Sequence, residues 1–348
     1  LDLQINEGTA MRAIVLILSV IFGVSSMAIS SMAQANPGFW KSEGWKTNFD
    51  KAEVPLEQIM SGGPNRDGIP PIDNPKFVSV AKAELAGREP VLMLIVGDDV
   101  RAYPLSVLIW HEIVNDTVGG QPVAVTYCPL CDSAIVFDRL VDGQVLRFGT
   151  TGKLRKSDMV MWDDVTESWW QQFLGKGIVG DYAGTELTML PSRIESFERF
   201  KMRFPNGKVL VPSNVAMRPY GANPYVGYDE SPWPFLYRGM VPPDVKAMDR
   251  VVKVGDTAWD LNMLTDRRRV EGPDGLVLSW EPGQASALSN RQIKNGRDIG
   301  NMIVQRDGLD VVHDVTFTFA FHAFLPDGMI YIACDPAAKK PTPPVTYH

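Results

Sequence analysis

Two of the chain's three cysteines stand together as Cys128-Pro129-Leu130-Cys131. Two sulfurs at this spacing can chelate a metal ion or cycle between dithiol and disulfide, and both chemistries work through the thiolate. An exchange enzyme needs one thiol of depressed pKa, commonly placed at a helix N-terminus. Here the runs 123–127 and 134–139 on either side read as strands, with an Asp142-Gly143 turn beyond. The pair is therefore expected on a turn between strands, which disfavours a thioredoxin-like helix and suits a metal knuckle holding zinc or copper. No second ligand pair follows at short spacing, so further ligands must come from elsewhere. His111 is the leading candidate, Met161 offers a thioether to copper, and His322 and Cys334 are remoter. The alternatives are a thiol-disulfide oxidoreductase using Cys128 and Cys131, or a bridge that stiffens the turn, which a loop this small would reward weakly.

Other motifs are less specific. His111-Glu112 lacks the second histidine of a zinc-protease helix, because Asn115 stands four residues on. Glu112 could orient His111 or serve as a base. Asp158, Asp163, Asp164 and Glu167 surround Trp162, Trp169 and Trp170, which would suit an aromatic ligand cleft or, more simply, acidic caps at a helix start. His322 lies in an alternating stretch, opposite the phenylalanines. Cys334 shares a face with Ile330 and Ile332 and reads as a buried thiol. Nucleophile-elbow, phosphate-loop and dinucleotide motifs are not found.

The N-terminus sets the redox compartment. Arg12, the apolar run 13–24 and Ala33-Gln34-Ala35 form a secretory signal pattern, with residues 1–10 read as upstream of the initiator Met11. Excluding residues 1–35 leaves 313 residues expected in the periplasm or secreted, without stable membrane insertion after signal cleavage. Net charge is −7 with no basic cluster, which argues against nucleic acid as a partner.

Residues 36–81 are rich in turn formers and read as an irregular lead-in. The run 91–96 reads as a strand. Leu105, Leu108, Ile109, Glu112 and Ile113 follow helical spacing after Pro104, which predicts a helix through 104–116 stopped by Gly119-Gly120. A shift of 121 residues aligns Ser168, Gln171, Gly175, Ile178, Phe200, Pro205 and Gly207 with identical residues. A second echo links Ala102-Tyr103-Pro104-Leu105 to Ala258-Trp259-Asp260-Leu261. The expected fold is α+β and β-rich, a single globular unit with a degenerate internal duplication. A cysteine-containing core would occupy 82–215 and the degenerate second half 216–348.

Several stretches together resemble a bacterial and archaeal family, the domain of unknown function 3179. They are Ser61-Gly62-Gly63-Pro64 with Asp67-Gly68-Ile69-Pro70, Trp110-His111-Glu112-Ile113-Val114-Asn115-Asp116, Tyr127-Cys128-Pro129-Leu130-Cys131, Ser157-Asp158 with Met161, and Thr166-Glu167-Ser168 with Trp170. The resemblance is strong over residues 51–213. It implies an exported protein in which the cysteine turn is a family feature, and it supplies no reaction. The basic Lys153-Leu154-Arg155-Lys156 departs from the apolar stretch that the family usually carries there.

Overall fold

Alternating and continuous apolar runs bounded by Gly, Pro and Asp turns make strands the dominant element of residues 37–332, the part of the chain that the computed structural model describes. The signal pattern and Cys334 lie outside the described residues. The first half forms β1 (Ile59–Ser61), β2 (Lys76–Ser79), β3 (Pro90–Val96), β4 (Asp99–Pro104), β5 (Ile113–Val118), β6 (Gln121–Cys128), β7 (Ser133–Asp138), β8 (Leu140–Val141), β9 (Gln144–Val145), β10 (Phe148–Arg155), β11 (Asp158–Asp163), β12 (Trp169–Gln171), β13 (Lys176–Val179), β14 (Met189–Leu190), β15 (Ser192–Ser196) and β16 (Lys208–Val211). The second half adds β17 (Arg250–Val254), β18 (Thr257–Asp260), β19 (Arg269–Glu271), β20 (Leu276–Glu281), β21 (Asn301–Arg306), β22 (Leu309–Asp310), β23 (Asp314–Phe317) and β24 (Met329–Tyr331). Helices are short: α1 (Pro37–Ser42), α2 (Leu105–Leu108), α3 (Phe197–Arg203), α4 (Leu261–Arg267) and α5 (Thr318–Phe324).

Apart from the small β8–β9 ribbon, the strands assemble into five sheets of four or five strands, in the orders β1-β10-β11-β12-β13, β14-β7-β6-β5, β15-β3-β4-β16-β2, β19-β20-β21-β22 and β23-β17-β18-β24. The arrangement forms one β-rich globular unit and resembles a five-bladed propeller, which corrects the plain α+β expectation. The reason is that among the described residues no helix is longer than seven residues, so that α3 and α4 each cover only part of a sheet face. The largest core runs through both halves, from Leu92 and Val125 to Phe317 and Phe324, and encloses Cys128 and Cys131.

Two of these sheets are built alike. In the first, β15 pairs with β3, β3 with β4, and β4 runs parallel to β16; in the second, β23, β17, β18 and β24 repeat that order and those directions. Val209 pairs with Ala102, and Ile330 with Ala258. These positions stand 121 and 156 residues apart, the two offsets at which the sequence echoes itself. Helix α5 likewise lies 121 residues beyond α3 at both ends. The earlier part of the 121-residue alignment is not matched in structure: Gln171 and Ile178 are on β12 and β13, whereas Gln292 and Ile299 lie in loops.

Two expected elements differ. The helix predicted over 104–116 is a single turn, α2, followed by a tight bend and then β5. Leu105, Leu108 and Ile109 do face one core, but Ile113 and Val114 are buried as a strand that pairs with β6 across a Gly119-Gly120 hairpin. Both glycines have positive φ, as a two-residue hairpin turn requires, so the pair connects strands instead of ending a helix. Conversely, the stretch around His322 is the helix α5 and not an alternating strand: Phe319, Ala320, Phe321, Ala323 and Phe324 are all buried there, so period-two reasoning fails on an element enclosed on most sides.

Candidate metal centre

Cys128 ends β6 and Ser133 opens β7 as its cross-strand partner, so Pro129, Leu130, Cys131 and Asp132 form a four-residue turn. Cys131 N–H donates to Cys128 O at 3.2 Å, and Asp132 takes a positive φ of 52°. Such a backbone is costly outside glycine and is held here by side chains. The Asp132 carboxylate accepts the Tyr127 hydroxyl at 2.9 Å and Arg250 Nε at 2.6 Å. Tyr228 donates its hydroxyl to Leu130 O at 3.1 Å. The sulfurs are thus preorganised by both halves of the chain.

Asp158 meets them. The β10–β11 hairpin turns on Lys156 and Ser157, both at positive φ, and delivers Asp158 at the start of β11. One Asp158 carboxylate oxygen and the two Sγ atoms all lie within 4.8 Å of one another, and all three residues are buried. Oδ2 accepts Gln171 Nε2 at 2.6 Å and Phe173 N at 2.9 Å. Oδ1 is buried with no hydrogen-bond partner among the described residues, as is Ser157 Oγ. Cys131 Sγ lies 3.7 Å from Ser157 O.

Burial pushes both thiols up, Cys131 well above the usual range, and the nearby Asp158 charge adds to it for each. Burial also raises Asp158 to about 6, against hydrogen bonds that pull it down. Both cysteines are free. Arg155, across the hairpin from Asp158, is the cation within charge range of that carboxyl, and its guanidinium is hydrogen-bonded to Gln58 and Gln171.

Glu112 completes the surroundings. Ile113 N–H closes a three-residue turn onto His111 O at 2.6 Å, leaving Glu112 at φ 60°, while Glu112 O accepts Tyr127 N–H at 2.8 Å beside the first cysteine. Burial, and then repulsion from Asp158, raise its carboxyl to about 8. Four strained non-glycine residues, Glu112, Asp132, Lys156 and Ser157, therefore gather around the sulfurs, a concentration typical of functional sites. Glu112, Leu130 and Met159 face a cavity of about 320 Å³ that Tyr225, Tyr228 and Phe235 also line.

The sequence candidates divide. Cys128 and Cys131 come together as expected. His111 does not join them: Nδ1 lies 2.7 Å from Pro70 O and Nε2 2.7 Å from the Tyr220 hydroxyl, so both ring nitrogens are engaged away from the sulfurs. Met161 shares the cysteines' core, across from Thr150 and Trp170 on neighbouring strands. His322 is on α5. The tryptophans form a core and not a cleft: Trp169 packs edge-on against Trp40, Trp45 and Phe49, and Trp170 Nε1 donates to Asp163 at 2.9 Å. Asp163 caps a turn by accepting the Val165 and Thr166 amides, Glu167 pairs with Arg66, and no helix starts there. Asp158, which the sequence reading grouped with the tryptophans and their acidic neighbours, is the carboxylate that meets the sulfurs; its position in the motif Ser157-Asp158 was the available signal. In the basic departure, Lys153 pairs with Glu43 and Arg155 with Gln58, both turned toward the lead-in.

Residues 66–328 match the family described as protein of unknown function DUF3179. No curated protein and no solved structure matches the chain.

Proposed function

The chain belongs to the DUF3179 family, and on that premise we propose that it is an exported metal-binding protein whose ion is held by Cys128, Cys131 and Asp158. The observation that carries the reading is the buried triangle of two sulfurs and one carboxylate oxygen, every pair within 4.8 Å. Burial favours the protonated form of both thiols, whereas a divalent ion would stabilise them, together with the Asp158 carboxylate, as anions. An oxygen beside two thiolates suits zinc better than copper(I), which prefers sulfur alone. Three protein ligands are also the number found in zinc sites that keep one position for an exogenous group. Asp158 Oδ2 is taken by Gln171 and Phe173, which leaves Oδ1 as the atom available for the third bond. Export rests on the N-terminal signal pattern.

Thiol-disulfide exchange is the rival, favoured by the two free cysteines of one short turn. It requires a stabilised thiolate, and burial acts on both sulfurs in the opposite sense. The common strand order of two sheets supports an internal duplication in which only the first copy carries the ligands.

Titration of metal-free protein with cobalt(II) tests the reading. Thiolate-to-cobalt charge-transfer absorption saturating at one equivalent, and absent in Cys131→Ser, is expected. A spectrum of hydrated cobalt throughout would reject it.

A further inference from the structure

The cavity beside the cysteine turn carries a chemistry of its own. Glu112 is only 8% exposed, yet among the described residues no cation and no hydrogen-bond donor reaches its carboxyl. Its charged neighbour is Asp158, of the same sign. The basic residue on the cavity wall, Lys153, is committed elsewhere, with Nζ at 2.8 Å and 3.1 Å from the two Glu43 oxygens. A buried carboxyl left this way favours its neutral form, and a cation placed beside it would let it ionise and gain a counter-charge.

The remaining wall is mostly aromatic and aliphatic, with Thr150, whose hydroxyl is bound to Ile69 O, as its polar side chain. Tyr225, Tyr228 and Phe235 line it together with Leu130, Leu154 and Met159. Tyr228 is fixed in place, since its hydroxyl donates to Leu130 O at 3.1 Å and accepts Phe235 N–H at 3.0 Å. The Tyr225 ring stands next to it, 6.5 Å centre to centre, and half-exposed Phe235 marks the rim. Aromatic faces attract organic cations, and clusters of such rings are the recurrent means of holding methylated ammonium groups. An anion would meet the Glu112 carboxyl. A primary ammonium would bring three N–H donors into a mostly apolar wall, whereas an alkylated one exposes carbon to it.

We infer that the cavity bounded by Glu112, Tyr225, Tyr228 and Phe235 binds a small alkylated ammonium ion, with Glu112 as its counter-charge and the three rings around its methyl groups. At about 320 Å³ the space lies at the small end of ligand sites, which span roughly 300–1,000 Å³. The site goes beyond the metal reading and does not depend on it, because the cysteines and Asp158 are not part of the wall.

The test is calorimetric titration of the full chain with choline and with its neutral isostere 3,3-dimethyl-1-butanol. Saturable choline binding at one site is expected, with the isostere at least ~10-fold weaker. Glu112→Gln should lower choline affinity by ~10-fold or more, and Phe235→Ala, at the exposed rim where folding is least affected, should lower it as well. The double variant Cys128→Ser/Cys131→Ser, which removes the metal ligands, should still bind choline. Equal affinity for the two probes, no choline binding, or unchanged affinity in folded Glu112→Gln would each overturn the inference. So would loss of choline binding in a folded double-serine variant. Choline binding without metal would leave the inference standing and the metal reading fallen; metal without choline would do the reverse.

Discussion

Thr316 donates its hydroxyl to the carbonyl oxygen of Cys131 at 2.7 Å, and Phe317 N–H reaches the same oxygen at 3.0 Å. The backbone of the second cysteine is thus fastened by β23, 185 residues away in sequence. Asp314 on the same strand accepts Ser133 Oγ at 2.6 Å and Ala134 N at 3.0 Å, gripping the other end of the turn. Among the described residues the second half supplies no ligand to the triangle, yet it holds the cysteine turn in shape.

Thr316→Val keeps the volume and removes one of those two bonds. A loss of about 1–2 kcal/mol is expected, because the Cys131 carbonyl is buried and keeps only one partner. Urea denaturation of metal-free protein measures it. An unchanged midpoint would show that the turn does not lean on β23.

The buried carboxyls fix the sign of the pH dependence. Glu112 rises from 4.5 to about 8, Asp314 from 3.8 to about 7 and Asp158 from 3.8 to about 6, each chiefly through burial. The folded chain therefore holds protons that the unfolded chain has released. Their contribution is fully present below the unfolded values, near pH 4, and is lost as pH rises through the folded ones. Metal-free protein should melt at a lower temperature at pH 8 than at pH 5. Glu112→Gln should flatten the upper part of that slope. A melting temperature that climbs across this range, or a slope untouched by the substitution, would contradict the assignment.

Thiol reactivity separates chelation from exchange. Both cysteines are buried, at 1% and 0% exposure, and both thiols are pushed up. Iodoacetamide at neutral pH should label neither until the chain is unfolded, as read by peptide mass mapping. Rapid labelling of one sulfur in the native protein would favour the exchange reading.

The sequence made parts of this site legible and hid others for identifiable reasons. The continuous apolar runs of β3 and β6 and the strands flanking the turn are visible because a buried strand needs nothing but its own side chains to announce it. The repeat offset of 121 emerges because α3 and α5, and the strands around them, kept their spacing. The segment after Pro104 misleads because apolar residues at helical spacing also fill a one-turn helix followed by a buried strand. That misplaced helix made His111 look close to the cysteines, when its ring is bound to Pro70 and Tyr220. Asp158 was hidden among acidic neighbours. Only the left-handed turn at Lys156 and Ser157 distinguishes it, and nothing in those two residue types advertises positive φ as glycine would.

The central claim is one metal ion held by two sulfurs and a carboxylate, and the most direct measurement is metal content. Elemental analysis of protein purified without chelator, and of Cys128→Ser, Asp158→Asn and His111→Ala variants, reads it. The account predicts close to one zinc per wild-type chain, retained in His111→Ala and lost in the other two. Metal-free wild-type protein that takes up no zinc, or full zinc content in folded Asp158→Asn, would contradict it.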